Sequence, residues 1–542
     1  MIIHCRAGKT PKKKDLINIS LLIKNYYDLK PERNNFNHKV KFGTSGHRGS
    51  SSLHTFNEQH VLTIAQAISE IRKIKGITGP CFVGKDTHAL SEPAFMTVIE
   101  VLIANRIDTI VEHNYSYTPT PSISYAILNY NRNNKKKADG IIITPSHNPP
   151  EYGGIKYNDF NGGPANEKIT IKIEKRANQL ISNKLSGINR IPYKLAIKDT
   201  HYHERDFIYP YVKELKRIVN INAIKNSGLK IAIDPLGGTG INYWMRMNEY
   251  YQLNFEILNE KIDPTFSFMK LDYDGIIRID CASQWSIQGL LKINKKYDLI
   301  LVNDPDSDRH GIITNKKLIN PNHYLAISID YLFKNRPLWK KNLIIGKTLV
   351  SSNIINHVIN KLGLNFIEFP VGFKWFSNGL YKGIFGFVGE ESGGASFLTF
   401  NGSPWTTDKD GIALCLLAAE IISITGISLE DYFKKIINIT GKYNYNCIKK
   451  KINYKQKKIL SNLSWNMTIP DNLAGDPVIN HSNKTFKKNI FLKGIKIITK
   501  HGWFVIRISG TEDIYKIYCE SKKDKSHLKL IEKEAKNIIK KN

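Results

Sequence analysis

At 542 residues the chain exceeds what one hydrophobic core supports, roughly 250–300 residues, so several domains are expected. A composition 41% hydrophobic and 23% charged excludes global disorder, and no apolar stretch reaches the roughly 20 residues a bilayer span needs, so no membrane partner is expected. The net charge of +31 admits polyanionic partners, but the lysine excess is spread along the chain without a zinc finger, an RNA-binding signature or a basic region beside heptads, so no specific nucleic acid is expected.

Residues 1–39 are polar and Asn/Lys-rich apart from one amphipathic piece, LINISLLIKNYYDL, and read as an N-terminal arm packed on the body. From Val40, HVLTIAQAISEIRKI and AFMTVIEVLIANRI have helical spacing, whereas CFVGKD reads as a strand and turn. This alternation predicts an α/β unit over 40–200, ending in a charged, turn-rich stretch. LKIAIDPLGGTG opens a second unit, 201–320, and a third, 321–440, follows with HYLAISIDYLF, the strand NLIIGKTLV and the strand and loop GIFGFVGEESGG. Residues 441–485 read as a Lys/Asn/Ser-rich linker with short helical pieces. The last unit, 486–542, is strand-like and closes with the helix HLKLIEKEAKNIIKK. The six cysteines, Cys5, Cys81, Cys281, Cys415, Cys447 and Cys519, lie far apart without a CxxC pair, which reads as reduced thiols in a cytoplasmic protein.

The chemistry sits in loops that follow strands, where open α/β sheets bind ligands. In TPSHNPP, Thr144–Pro150, prolines and Asn148 restrict the backbone around Ser146 and can hold its hydroxyl for in-line attack, although the same residues make ordinary surface turns. His147 is either a general base or an orienting group, and Lys156 either neutralises phosphate or is a plain exposed lysine. DPDSDRHG carries Asp304, Asp306 and Asp308 at alternate positions, which in an extended loop point the same way and offer three hard oxygens to a divalent cation. An EF-hand is excluded, because Arg309 stands where the loop needs glycine and Asn315 where it needs glutamate; a solvated acidic turn remains. An oxygen on Ser146 is a further ligand for that cation, and Arg309 can pair phosphate with its fork of donors.

GEESGGASF offers Glu390 and Ser392 to sugar hydroxyls, or is an acidic turn. Lys374 in VGFKW is a catalytic acid, an electrostatic stabiliser or a surface lysine. RISGTED gathers Arg507, Ser509, Gly510 and Thr511 in the manner of an anion nest, and KFGTSGHRG places Ser45 and Arg48 similarly. AGKT at 7–10 lacks the first P-loop glycine, and PLGGTG has the wrong spacing for a dinucleotide fingerprint.

KFGTSGHRG, TPSHNPPEYGGIKYN, NDPDSDRHG, VGFKWF, GEESGGASF and SGTEDIYKIYCES, in this order, resemble the α-D-phosphohexomutase superfamily over essentially the whole chain. The resemblance implies an α/β protein of four domains, three similar mixed-sheet α/β domains and a smaller α+β C-terminal domain, around a central cleft. It implies Ser146 as a phosphoserine, Mg²⁺ on Asp304, Asp306 and Asp308, and Glu390 and Ser392 on the sugar, with Arg507, Ser509, Gly510 and Thr511 on the nonreacting phosphate. The activity implied is interconversion of glucose 1-phosphate and glucose 6-phosphate through glucose 1,6-bisphosphate, in a monomer or homodimer. Mannose or glucosamine phosphates are the same-class alternative, and a nucleic-acid-binding protein on an inactive scaffold the alternative of another class. Ile508 departs from the family, which more commonly has proline after the arginine.

Overall fold

Three times along the chain a central parallel strand ends in a polar loop, after which the backbone reverses into an antiparallel neighbour. Asp139–Ile143 is parallel to Cys81–Lys85 and antiparallel to Tyr152–Asn158. Leu299–Asn303 repeats the pattern between Ile231–Asp234 and His310–Thr314, and Phe385–Gly389 between Ile344–Thr348 and Ala395–Phe397. The central strands DGIII, LILVN and FGFVG are buried along their whole length, which is why they read as continuous apolar runs rather than alternating ones.

The computed structural model describes residues 3–452, 469–484, 491–508 and 514–541. Among them are three mixed sheets of six, four and four strands, and a C-terminal sheet of six strands whose pairings are all antiparallel. The first sheet is completed at one edge by Tyr202–Arg205, parallel to Thr109–Glu112. The amphipathic piece of the arm forms the helix Ile19–Asp28, which buries Leu22 and Tyr26 in the first core, where the Tyr26 hydroxyl donates to Thr97 Oγ1 at 2.9 Å. Nearer the N-terminus, His4 N–H donates to the Tyr273 carbonyl and Gly8 N–H to the Leu271 carbonyl, so the arm touches two units.

The stretch read as a linker differs where it is described: Asn444–Lys451 pairs with Ile514–Ser521, and Asp476–Lys484 with Phe491–Thr499, as strands of the C-terminal sheet. The lysines of NYNCIKKK hid the strand, since Lys450 and Lys451 are exposed and Ile448 alone of its residues is buried in the core. The short helical pieces expected within 453–468 lie outside the described residues. The C-terminal unit is seated on the third. The Glu520 carboxylate accepts from Ser352 Oγ, from Asn353 N–H at the start of helix Asn353–Lys361 and from Trp503 Nε1, and the Tyr445 hydroxyl donates to the Val350 carbonyl at 3.0 Å. Toward the second unit it reaches with Lys449, whose ammonium lies 5.0 Å from the Tyr273 ring centre.

No single helix among the described residues is long and apolar enough to cross a membrane; one pair bent by 79°, Gly411–Thr425 with Leu429–Thr440, passes by length and composition only. The first of that pair is core. Its Glu420 is buried, 2.9 Å from Arg336 Nη2, and accepts from the Tyr331 hydroxyl and Asn220 N–H, both at 2.8 Å. Removing one partner of such a pair leaves the other charge uncompensated. Arg336→Met is expected to cost about 3–5 kcal/mol, seen as a lowered midpoint of thermal unfolding; an unmoved midpoint would show that the carboxylate is satisfied without the guanidinium.

Candidate active site

Ser146 follows the strand Asp139–Ile143 and is fully buried, in a left-handed conformation at φ 60°. For a non-glycine residue that backbone costs about 1–3 kcal/mol, and the loop offsets it with hydrogen bonds. Ser146 N–H donates to Thr144 Oγ1 at 2.7 Å, and Arg48 Nη1 donates to Asn148 Oδ1 at 2.8 Å while its Nη2 reaches Ser45 Oγ at 2.8 Å. The turn aims the hydroxyl across to the second unit, where Ser146 Oγ donates to Asp304 Oδ2 at 2.8 Å.

Asp304, Asp306 and Asp308 are fully buried and each present an oxygen within 4.8 Å of the others. Their convergence does not come from extended alternation. The loop is a tight turn in which Ser307 is left-handed, φ 56°, and donates its N–H to the Asp304 carbonyl at 2.8 Å, folding the three carboxylates inward. Third-unit backbone closes on the same loop: Gly411 N–H donates to the Ser307 carbonyl at 3.0 Å, and a Cβ on Gly411 would lie 2.1 Å from the Arg309 carbonyl oxygen. Only glycine permits that approach.

Cations crowd the acids. Lys156 Nζ lies 2.5 Å from Asp306 and 3.0 Å from Asp308, Lys409 Nζ 2.7 Å from Asp308, and Arg309 Nε 3.7 Å from Asp308. Burial opposes the charge on Asp308, yet Lys156, Lys409 and Arg309 hold its carboxyl well below the usual range. Asp304 goes the other way, raised by burial and then by Asp306 and Asp308. A divalent cation fits this set: Asp306 Oδ1 and Asp308 Oδ1 are buried without a hydrogen-bond partner among the described residues, and hard oxygens suit a hard cation. A second acidic group, Glu112 with His113 and Asp206, is spent on backbone, since Glu112 accepts from Phe207 N–H and Asp206 from Ile208 and Tyr209 N–H.

Glu390 is brought to the same place. Its backbone N–H donates to the Gly394 carbonyl, Gly372 N–H donates to its carboxylate at 2.8 Å, and the Gly393 carbonyl accepts from His310 N–H at 3.0 Å, joining this loop to the acid loop. Burial raises the Glu390 carboxyl. Ser392 is half-buried on the same turn. Lys374 pairs with Glu167 at 3.3 Å and lines, with Ser45, Lys156, Asp408 and Lys409, a cavity of about 20 Å³, room for one water. His147, beside the nucleophile, is held well below the ordinary histidine value by burial, then by Arg309 and Arg48, and its Nδ1 has no hydrogen-bond partner among the described residues. Lys156, read as a phosphate-neutralising group, has its ammonium on the carboxylates.

Arg507 lies in the strand Gly502–Ile508 of the C-terminal unit, against the Tyr518 phenol, which also senses Glu391 of the third unit's acidic loop. No described contact joins Arg507 to Ser146 or the aspartates. Ser509, Gly510 and Thr511 lie outside the described residues. Sequence reasoning missed Lys409, Thr120 and Asp86. Lys409 stands in TTDKDG, which reads as the cap of the following helix, and Asp410 does cap it by accepting from Ala413 N–H. Thr120 Oγ1 donates to Asp306 Oδ2 at 2.6 Å from the first residue of the helix Thr120–Asn133, where no motif marks it. Asp86 sits in KDTH, another strand-end polar turn whose signal was available.

Three related α/β units that bring a serine loop, an acid loop and a second carboxylate loop to one place, with an antiparallel C-terminal unit, have the architecture of the α-D-phosphohexomutase class. Family models described as phosphoglucomutase/phosphomannomutase, alpha/beta/alpha domains I, II and III, match residues 39–184, 209–317 and 320–439, and that of the C-terminal domain matches 466–538. A phosphoglucomutase of Komagataeibacter xylinus is 46% identical over 539 residues, covering 98% of this chain and 96% of that protein. Phosphoglucomutase 1 of Drosophila melanogaster is 26% identical, over 87% of this chain and 88% of its own. Among solved structures, the open form of Paramecium parafusin, described as a phosphoglucomutase, superposes with a TM-score of 0.72 over 94% of this chain and 95% of its own, at 20% identity, a likeness of fold. The chain belongs to the phosphoglucomutase/phosphomannomutase family.

Proposed function

We propose that the chain is an isomerase that interconverts glucose 1-phosphate and glucose 6-phosphate, a phosphoglucomutase activity, with Ser146 as the phosphoryl carrier. The observation that carries the carrier role is the buried Ser146 hydroxyl, aimed by a strained turn at Asp304 inside the acid cluster. The likeness at 46% identity to a phosphoglucomutase over nearly all of both chains supports glucose as the sugar.

In the first half of the reaction, the bond from phosphorus to Ser146 Oγ breaks as the free sugar hydroxyl bonds to phosphorus, and that hydroxyl's proton passes to a base. We assign that base to His147, next to Ser146 in the chain, whose Nδ1 has no hydrogen-bond partner among the described residues. The bisphosphate, glucose 1,6-bisphosphate, then turns over, and its other phosphoryl group returns to Ser146. Arg48 Nε and Arg309 Nε are buried donors without a hydrogen-bond partner among the described residues, and a phosphate oxygen is an acceptor that would satisfy them. Asp304, Asp306, Asp308 and an oxygen on Ser146 would hold Mg²⁺, which when bound acts as a Lewis acid on the phosphoryl group. Glu390 and Ser392 hold sugar hydroxyls, Lys374, which lines the cavity, stabilises charge, and Arg507 with Ser509, Gly510 and Thr511 grips the nonreacting phosphate. Full burial of Ser146 keeps water from the ester. The enzyme works in the cytoplasm as a monomer or homodimer.

Incubation with glucose 1,6-bisphosphate is expected to add the mass of one phosphoryl group to the intact protein, at Ser146, and incubation with glucose 1-phosphate to yield glucose 6-phosphate. Faster turnover of mannose or glucosamine phosphates would move the assignment within the family, and stoichiometric release of inorganic phosphate would make the protein a phosphatase. Asp306→Asn is expected to raise the Mg²⁺ concentration for half-maximal activity roughly tenfold or more; an unchanged titration would take the aspartates out of the metal site.

A further inference from the structure

One carboxylate holds the Ser146 loop from both sides. Asp86 follows the strand Cys81–Lys85, is fully buried, and ties its own N–H to the Ile143 carbonyl at 2.9 Å. Its Oδ2 accepts from Thr144 Oγ1 at 2.6 Å, and Thr144 Oγ1 in turn accepts the Ser146 N–H. The same Oδ2 meets His88 Nδ1 at 2.9 Å, and His88 Nε2 meets the Asn148 carbonyl at 3.1 Å. Asp86 therefore reaches the residue two before the serine through a hydroxyl, and the residue two after it through an imidazole. Its Oδ1 is held by the Ser91 hydroxyl at 2.5 Å and by His88 N–H at 3.0 Å, so the carboxylate cannot rotate away from either arm.

Both ring nitrogens of His88 face oxygens, of a carboxylate and of a carbonyl. Phe266 of the second unit closes the site with its ring centre 4.9 Å from that of His88. Among the described residues, this network meets the aspartate cluster through the serine loop. Its effect falls on the one residue between the two arms, which must keep a left-handed backbone for its oxygen to reach Asp304.

We propose that Asp86, Thr144 and His88 form a positioning unit for phosphoryl transfer, clamping the serine turn so that the Ser146 oxygen stays in line with the group it gives and receives. This rests on Ser146 being the phosphoryl carrier. The unit acts on geometry, so its loss lowers the rate of transfer and leaves sugar binding nearly intact.

Thr144→Val removes the hydroxyl at nearly constant volume, and Thr144→Ser restores it. The valine variant is expected to lose about 10²-fold in kcat with the KM for glucose 1-phosphate within twofold of wild type, and to take phosphate from glucose 1,6-bisphosphate equally slowly by intact mass. The serine variant recovers most of that loss. Asp86→Asn combined with Thr144→Val is expected to lose little more than the worse single variant, because the two residues act as one unit. Wild-type kcat in the valine variant overturns the proposal, as do equal losses in the valine and serine variants or a loss confined to KM. If wild type takes phosphate on Ser146 and the valine variant takes it as fast, the positioning unit fails while the mutase reading stands. If wild type neither takes phosphate nor turns over glucose phosphates, both fall.

Discussion

Ser146→Ala lowers turnover of glucose 1-phosphate on the order of 10⁴-fold or more, and the protein no longer gains phosphoryl mass from glucose 1,6-bisphosphate. The size follows from the role, because without the hydroxyl neither half-reaction has an oxygen to carry the group. Neither of two effects on stability favours the alanine variant. Alanine keeps the left-handed strain at φ 60°, and Asp304 loses the hydroxyl donor that helps hold a buried carboxylate. Ser146→Gly removes the strain as well as the hydroxyl, so it is the more stable of the two by about 1 kcal/mol and equally inactive. A protein that folds and keeps more than a hundredth of wild-type turnover in either variant has another phosphoryl acceptor, and the covalent route through Ser146 is then wrong.

The second large effect is that of Lys156→Met. Burial works against the Lys156 ammonium, but Asp306 and Asp308 together hold its pKa above the ordinary lysine value. Methionine keeps much of the volume and removes the charge, leaving three buried carboxylates with Lys409 and Arg309 alone. Losing one partner of a buried ion pair costs about 3–5 kcal/mol. A divalent cation bound by the same carboxylates replaces part of that charge, so saturating Mg²⁺ is expected to raise the thermal midpoint of Lys156→Met more than that of wild type. An equal Mg²⁺ shift in both proteins would mean that metal and lysine do not share the acids.

The units, the serine turn and the three acids were legible because each is written locally: an apolar run, then a polar loop within ten residues. DGIII before TPSHNPP and LILVN before DPDSDRHG are strand and loop in one reading. What lay beyond sequence was everything made by two loops at once. Lys409 meets Asp308 only because the helix Gly411–Thr425 starts against the acid loop, and Thr120 meets Asp306 only through the packing of the first unit on the second. The acids were found for a reason that proved geometrically different, since a turn at Ser307 gathers them where an extended loop was expected. The strand Asn444–Lys451 was read as linker because its lysines outweigh one buried isoleucine, a case in which neighbouring strands override composition.

The seat of the C-terminal unit has a mechanical consequence. On one side the buried Glu520 carboxylate takes the Ser352 hydroxyl and the Asn353 N–H of the third unit, with the C-terminal unit's own Trp503 indole as a further donor; on the other, among the described residues, Lys449 lies over the Tyr273 ring with Asp280 and Asp272 nearby. A cation on an aromatic face is worth about 0.5–2 kcal/mol, far less than a buried carboxylate stripped of its donors. A force that parts the units is therefore expected to separate Lys449 from Tyr273 before it separates Glu520 from Ser352 and Asn353.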